Sequence, residues 1–62
     1  MMYHVGQKID WLTVRDGSIT KVIGEITQIV GEWIWVKGKT LCKNEEVTDR
    51  LTIYDKSIGV YQ

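Results

Sequence analysis

The stretch Trp33-Ile34-Trp35-Val36-Lys37 decides the fold, because aromatic and β-branched residues alternate along it without interruption. Residues of these types suit a pleated, half-buried strand. The same bias runs through the whole chain, since Val, Ile and Thr provide 21 of the 62 residues and Ala is absent. No segment keeps the 3.6-residue period of an amphipathic helix over a useful length. The sequence therefore predicts an all-β fold.

Alternation within this stretch leaves two registers open, because side chains two residues apart lie on the same face of a strand. One register points Ile34 and Val36 into the core. Trp33, Trp35 and Lys37 then lie together on the outer face. The opposite register buries both tryptophans, which would supply bulk to a chain that has no Phe. A mixed arrangement covers one ring with a tyrosine of a terminal strand.

Turn signals divide the rest of the chain into five or six short strands. Asp16-Gly17 tolerates the positive φ that a tight hairpin turn needs, and Gly31-Glu32 is a second hairpin candidate. Gly24, inside a strand, allows a bend or a close backbone approach. A change of apolar parity after Trp11 predicts a bulge, a bend or a strand that leaves the sheet there. The predicted strands are 7–14, 19–30, 33–37, 40–43, 52–54 and 58–61.

Residues 44–49 are the one segment for which a helical turn is predicted. Asn44 is a favourable helix N-cap, and Glu45 and Glu46 carry the negative charge that a helix N-terminus favours. Val47 and Leu51, four residues apart, would share one side of that turn. We expect one or two turns here, 3₁₀ in part, before the closing strands.

A chain of 62 residues forms one domain, residues 1–62, with a thin core. So short a chain buries only about 60% of the surface that its unfolded form exposes. The single Cys42 has no partner for an internal disulfide, which leaves oligomerisation as the remaining source of added stability. We expect the core to consist of Ile9, Ile26, Ile34, Val36 and Ile53.

Charge and hydropathy narrow the classes of partner. Eight Lys and Arg balance eight Asp and Glu, so the chain lacks the basic excess that usually supplies affinity for a phosphate backbone. No run approaches the about 18 apolar residues of a membrane helix, and the N-terminus lacks the regions of a signal peptide. A single unpaired thiol fits a reducing compartment. We expect a cytoplasmic protein with no membrane partner.

A pattern of glycines and alternating apolar residues is shared with known small barrels. It comprises Gly6-Gln7-Lys8-Ile9, Gly24-Glu25-Ile26, Ile29, Gly31 and Ile34-x-Val36. This pattern resembles the SH3-like barrels of the KOW, Tudor and plasmid type II dihydrofolate reductase kind. The resemblance covers most of the chain and implies a small SH3-like barrel with a 3₁₀ turn near residues 44–49. It implies architecture rather than activity, because one fold hosts many functions.

Residues able to carry catalysis are sparse. Ser18 and Ser57 lie in predicted turns, and Cys42 has no histidine near it in sequence. His4 is the only histidine, and one His with one Cys does not provide the ligands of a zinc site. The plasmid reductases use a Val-Gln-Ile-Tyr stretch, but Leu51-Thr52-Ile53-Tyr54 has Thr in place of Gln. We predict no catalytic residue, no metal and no cofactor.

The outward register predicts a binding surface, because Trp is enriched at binding hot spots and monomers seldom leave adjacent aromatic side chains bare. The leading hypothesis is a non-catalytic adaptor or inhibitor, of the kind found in phage and mobile elements. It would bind another protein or a second copy of itself. The predicted partner-binding residues are Trp33, Trp35, Lys37 and Tyr54.

Two other hypotheses remain open. The first is nucleic-acid binding, in which the rings stack on bases and nearby lysines contact phosphates. Its predicted residues are Trp33, Trp35, Lys37, Lys39 and Lys43. The second is a subunit whose catalytic pore is completed only when several copies assemble.

Overall fold

The computed structural model describes residues 2–61, and that part of the chain contains five strands and no helix. The strands are β1 Lys8–Arg15, β2 Ser18–Val30, β3 Trp33–Thr40, β4 Glu46–Thr52 and β5 Gly59–Val60. All pairings are antiparallel, and the order in the sheet is β4-β3-β2-β1-β5. The predicted all-β fold is confirmed, with five strands where five or six were predicted. The sheet is not closed, since no pairing joins β4 to β5 within residues 2–61.

Two tight turns connect the first three strands. Asp16 and Gly17 have φ values of 51° and 77°, and a type I′ hairpin turn requires a positive φ at both central residues. Gly31, with a φ of 59°, begins the turn between β2 and β3. Both predicted hairpins are therefore confirmed.

The predicted bulge near Trp11 is wrong, because the pairing of β1 with β2 is continuous from Lys8 to Arg15. Leu12 lies on the outer face and is 44% exposed. The change of apolar parity therefore reflects apolar residues exposed on the outer face, and the strand keeps the same face toward the core. The register shift lies instead in β2, between Ile26 and Gln28.

The segment after β3 also differs from the prediction. β3 continues to Thr40, residues 41–43 form a turn, and β4 begins at Glu46, so the strand at 40–43 and the helical turn at 44–49 are both wrong. Thr40 closes this turn with two hydrogen bonds to Glu45. Its backbone N–H donates to the Glu45 carbonyl at 2.9 Å, and its hydroxyl accepts from the Glu45 N–H at 3.0 Å. Asn44 takes a left-handed φ of 57° within the turn.

The core lies on the inner face of the sheet. Four of the five expected core residues are at most 1% exposed, and Ile53 is half-buried against them. Trp11 is the largest fully buried side chain. The complete buried cluster is Ile9, Trp11, Val22, Ile26, Ile34, Val36 and Val47.

One hydrogen bond shows that the sheet curls around this core. The Trp11 indole Nε1 donates to Asp49 Oδ2 at 2.8 Å, which joins β1 to β4. Two strands separate β1 from β4, so in a flat sheet their backbones would be about 14 Å apart. The side chains meet because the two halves of the sheet bend toward each other.

Gly24 and Gly38 permit that bend. They are paired across β2 and β3, in the inner row that also contains Ile9 and Val47. A Cβ on Gly24 would lie 2.5 Å from the Gly38 Cα, and a Cβ on Gly38 would lie 2.8 Å from the Gly24 Cα. The predicted close backbone approach at Gly24 is confirmed.

Candidate functional site

β3 points both of its tryptophans away from the core. Ile34 and Val36 are fully buried, so the residues that alternate with them lie on the outer face. Trp33 is 40% exposed and Trp35 is half-buried. Of the two registers left open by the sequence, the molecule has the outward one.

Neighbouring strands extend this surface on either side. Val30 is opposite Trp33 on β2 and is 52% exposed. Arg50 of β4 is paired with Trp35, and its guanidinium carbon lies 4.3 Å from the centroid of the Trp33 ring. A cation above an indole at this distance is attracted to the ring and favours that orientation of it. We call Val30, Trp33, Trp35 and Arg50 the aromatic face.

Charges of both signs border the aromatic face. Lys37 follows Trp35 on the outer side of β3 and is paired with Glu25 of β2. Lys39 comes next and is paired with Glu46 of β4. Each of these lysines therefore has an acidic residue directly opposite. The border is polar but carries no local excess of positive charge.

Two predicted site residues lie outside β3. The Tyr54 side chain is 68% exposed, and its backbone N–H donates to the Thr52 hydroxyl at 3.2 Å. Thr52 is paired with Trp33, so Tyr54 follows the Trp33 end of the aromatic face. Lys43 lies in the turn beyond the opposite end of β3. The structure brings Lys37 and Lys39 beside the tryptophans, but not Lys43.

Besides Val30, Arg50 is the residue of this surface that sequence reasoning missed. The prediction of a helical turn at 44–49 concealed the strand that carries it. If Glu46–Thr52 had been recognised as a strand, the alternation with Val47 would have placed Arg50 on the outer face. The signal was present, but it lay in a segment whose local preference favoured a helix.

A groove of about 280 Å³ lies between the β1–β2 turn and the turn after β3. Arg15 and Lys43 supply positive charge to its lining, while Asp16 and Glu45 supply negative charge. Cys42 also lines it and is exposed, with its Sγ 3.4 Å from Thr20 Oγ1. Because none of the described lining residues is a histidine, this thiol lacks the usual base of a cysteine nucleophile.

Asp10, on the outer side of β1, interacts with two neighbours. Lys21 Nζ lies 3.8 Å from Asp10 Oδ1. The nearby Asp10 carboxylate raises the pKa of Tyr61 above the ordinary value for tyrosine, because it favours the protonated phenol.

We expect Asp10→Asn to lower the pKa of Tyr61, because the amide carries no negative charge to oppose the phenolate. An NMR pH titration of the Tyr61 ring measures this change. Asp16→Asn, at an exposed turn carboxylate whose backbone conformation Asn tolerates, is the control and leaves the pKa unchanged. An equal pKa in wild type and Asp10→Asn would contradict the assignment.

Comparison with known proteins gives no match, whether to family models, to curated proteins or to solved structures. Within residues 2–61, no group of three or more His, Cys, Asp or Glu side chains is placed to hold a metal ion. The same residues include no helix long and apolar enough to cross a membrane.

Proposed function

We propose that this chain is a small non-catalytic module that binds another protein through its aromatic face. The observation that carries the proposal is the exposed Trp33 ring, held by the Arg50 guanidinium at 4.3 Å beside Trp35. Trp and Arg are the residue types most enriched among binding hot spots. A ring that is already oriented loses little conformational freedom when a partner covers it.

The border of the aromatic face supports a protein partner over a nucleic acid. Interfaces between proteins combine an apolar centre with a polar rim, and Lys37 and Lys39 with their opposite carboxylates supply such a rim. A protein that binds nucleic acid draws much of its affinity from an excess of positive charge on the surface that contacts the phosphate backbone. Here Glu25 and Glu46 lie opposite the two lysines that border the tryptophans.

We also propose an SH3-like barrel as the architecture. Three features support it: β5 returns to pair with β1, a segment of turns at residues 53–58 precedes β5, and Ile26 and Ile29 of β2 pair with Val36 and Ile34 of β3. The curl that brings Trp11 to Asp49 also fits a barrel. An exposed and unpaired Cys42 fits a reducing, cytoplasmic setting.

The aromatic face is tested by affinity capture of a partner from the native host, followed by titration of the identified protein. We expect Trp33→Ala and Trp35→Ala each to weaken binding by about 30-fold, the effect of losing one hot-spot side chain. Val14→Ala is the matched control, since Val14 is 69% exposed on the outer side of β1 but lies away from the aromatic face. Circular dichroism checks that each variant stays folded.

Two results would contradict the proposal. One is a partner that binds wild type and both tryptophan variants equally. The other is quenching of tryptophan fluorescence by single-stranded DNA or RNA at low salt, where electrostatic affinity is greatest. The second result would assign the aromatic face to nucleic acid.

A further inference from the structure

β4 is an edge strand whose outer backbone groups are available for pairing. The Glu45 carbonyl and the Ile53 N–H, on either side of β4, both bond toward the β3 side of the sheet. Because backbone groups of successive residues in a strand point in opposite directions, those of Glu46, Thr48 and Arg50 point to the free edge. Among residues 2–61, no backbone hydrogen-bond partner of these three residues lies beyond that edge.

We propose that β4 pairs antiparallel with β4 of a second copy, about a twofold axis at Thr48. In this register Thr48 is opposite the same residue of the second copy. Glu46 of each copy is opposite Arg50 of the other, so two oppositely charged pairs flank a Thr–Thr pair on the outer face. Both kinds of cross-strand pair are favourable. Each pair also exchanges two backbone hydrogen bonds.

The charges select this register over its neighbours. An axis at Glu46 would place two carboxylates opposite each other, and an axis at Arg50 would do the same with two guanidinium groups. An axis at Val47 or Asp49 would leave Glu46 opposite a threonine. Charged residues on an edge strand ordinarily prevent pairing, but here their order makes the edge complementary to itself.

The cation–π contact is compatible with this pairing. The Arg50 guanidinium carbon lies over the Trp33 ring, and a guanidinium that stacks on a ring keeps N–H groups able to donate to a carboxylate. The Glu46 side chain is exposed. The dimer would join the two sheets into one and place both aromatic faces on the same side, with each β3 one strand away from the junction.

This contact uses the β4 edge and none of the tryptophan rings, so it goes beyond the proposed function and can fail independently of it. The edge is short, and a contact this small is typical of weak association. Sedimentation equilibrium from about 10 μM to about 1 mM covers the affinity expected of such a dimer.

We expect wild type to dimerise over this concentration range. Glu46→Arg and Arg50→Glu should each weaken the dimer at least tenfold, because either change creates two like-charged pairs. An equimolar mixture of the two variants should dimerise again, since one edge is then wholly positive and the other wholly negative. The double variant Glu46→Arg/Arg50→Glu restores opposite charges and should also recover the dimer. Glu32→Arg, a charge reversal in the β2–β3 turn, is the control.

A wild-type chain that stays monomeric throughout would overturn the inference. So would single variants that dimerise as wild type does, or a mixture that fails to recover the dimer.

Val30→Glu separates the two surfaces, because it places a charge on the aromatic face two strands from the β4 edge. If Val30→Glu abolishes the dimer and Glu46→Arg does not, self-association belongs to the aromatic face. If partner capture fails but the mixture of Glu46→Arg and Arg50→Glu dimerises, the β4 contact is supported and only the proposed function is contradicted.

Discussion

Gly24→Ala unfolds the chain. The new Cβ would lie 2.5 Å from the Gly38 Cα and closer still to the Lys37 carbonyl oxygen, so it would meet backbone on both counts. Neither backbone group can retreat without breaking the pairing of β2 with β3. A domain of this length has about 3–9 kcal/mol of stability in total, which leaves little to absorb the strain. Circular dichroism and a thermal melt measure the loss of β structure.

Gly31→Asn is the matched control for this substitution. Gly31 has a φ of 59° and open space where a Cβ would be placed, and Asn tolerates the left-handed conformation. The control should melt cooperatively, within a few degrees of wild type. Gly38→Ala should behave like Gly24→Ala, because the two glycines approach each other. A folded Gly24→Ala chain with a wild-type melting temperature would disprove the account of the bend.

Trp11→Ala should destabilise the domain by about 3–5 kcal/mol, the cost of deleting a large buried aromatic side chain. Trp11 is the largest fully buried residue, and its removal also leaves the Asp49 carboxylate without its indole donor. Trp33→Ala should cost far less, because that ring is 40% exposed. Urea denaturation compares the three proteins. Equal stability of the Trp11 and Trp33 variants would contradict the division into core and surface tryptophans.

Trp11→Phe removes the hydrogen bond while it keeps part of the aromatic packing. It keeps an aromatic ring but removes the N–H, which leaves a half-buried carboxylate unpaired at a cost of about 1–3 kcal/mol. Asp49→Asn keeps an acceptor for the indole and should cost less. If Trp11→Phe and Asp49→Asn are equally mild, the bond between β1 and β4 contributes little to the curl of the sheet.

Together the two surfaces suggest how so small a chain binds. The aromatic face offers oriented side chains to a partner, and pairing of β4 would double that face. A dimer that presents two copies of one surface gains affinity for a partner with two matching sites, without any new contact. Arg50 is shared by the two surfaces, since it lies over the Trp33 ring and belongs to the β4 edge strand.

Local signals in the sequence were sufficient to predict the two hairpins. They were only partly sufficient to predict which way the side chains of β3 point. Asp16-Gly17 was recognised because a positive φ at both positions depends on those two residues alone. Alternation in β3 predicted that Trp33 and Trp35 lie on the same face. It was equally compatible with both rings facing outward and with both rings buried. The choice depended on which face met Trp11 and Val47, residues that come from other strands.

The segment Asn44–Glu46 shows where local preference was misleading. Its residues favour the start of a helix. In the structure Glu45 instead forms hydrogen bonds with Thr40, and the chain continues as a strand beside β3. The gain from a full ladder with β3 outweighs the weak intrinsic preference of a few residues. Arg50 was missed for the same reason, since its place on the outer face exists only when β4 does.

The amino-acid sequence by itself determined that this protein is built of strands, where the hairpin turns between its first three strands lie, and that its two β3 tryptophans point the same way. Those features depend on φ preferences and on the two-residue period of a strand, both of which are local. Only the tertiary structure decided that Trp33 and Trp35 face outward, that Arg50 covers Trp33, and that Trp11 bonds to Asp49 from 38 positions away. These depend on which strands become neighbours, and distant backbone pairing decides that.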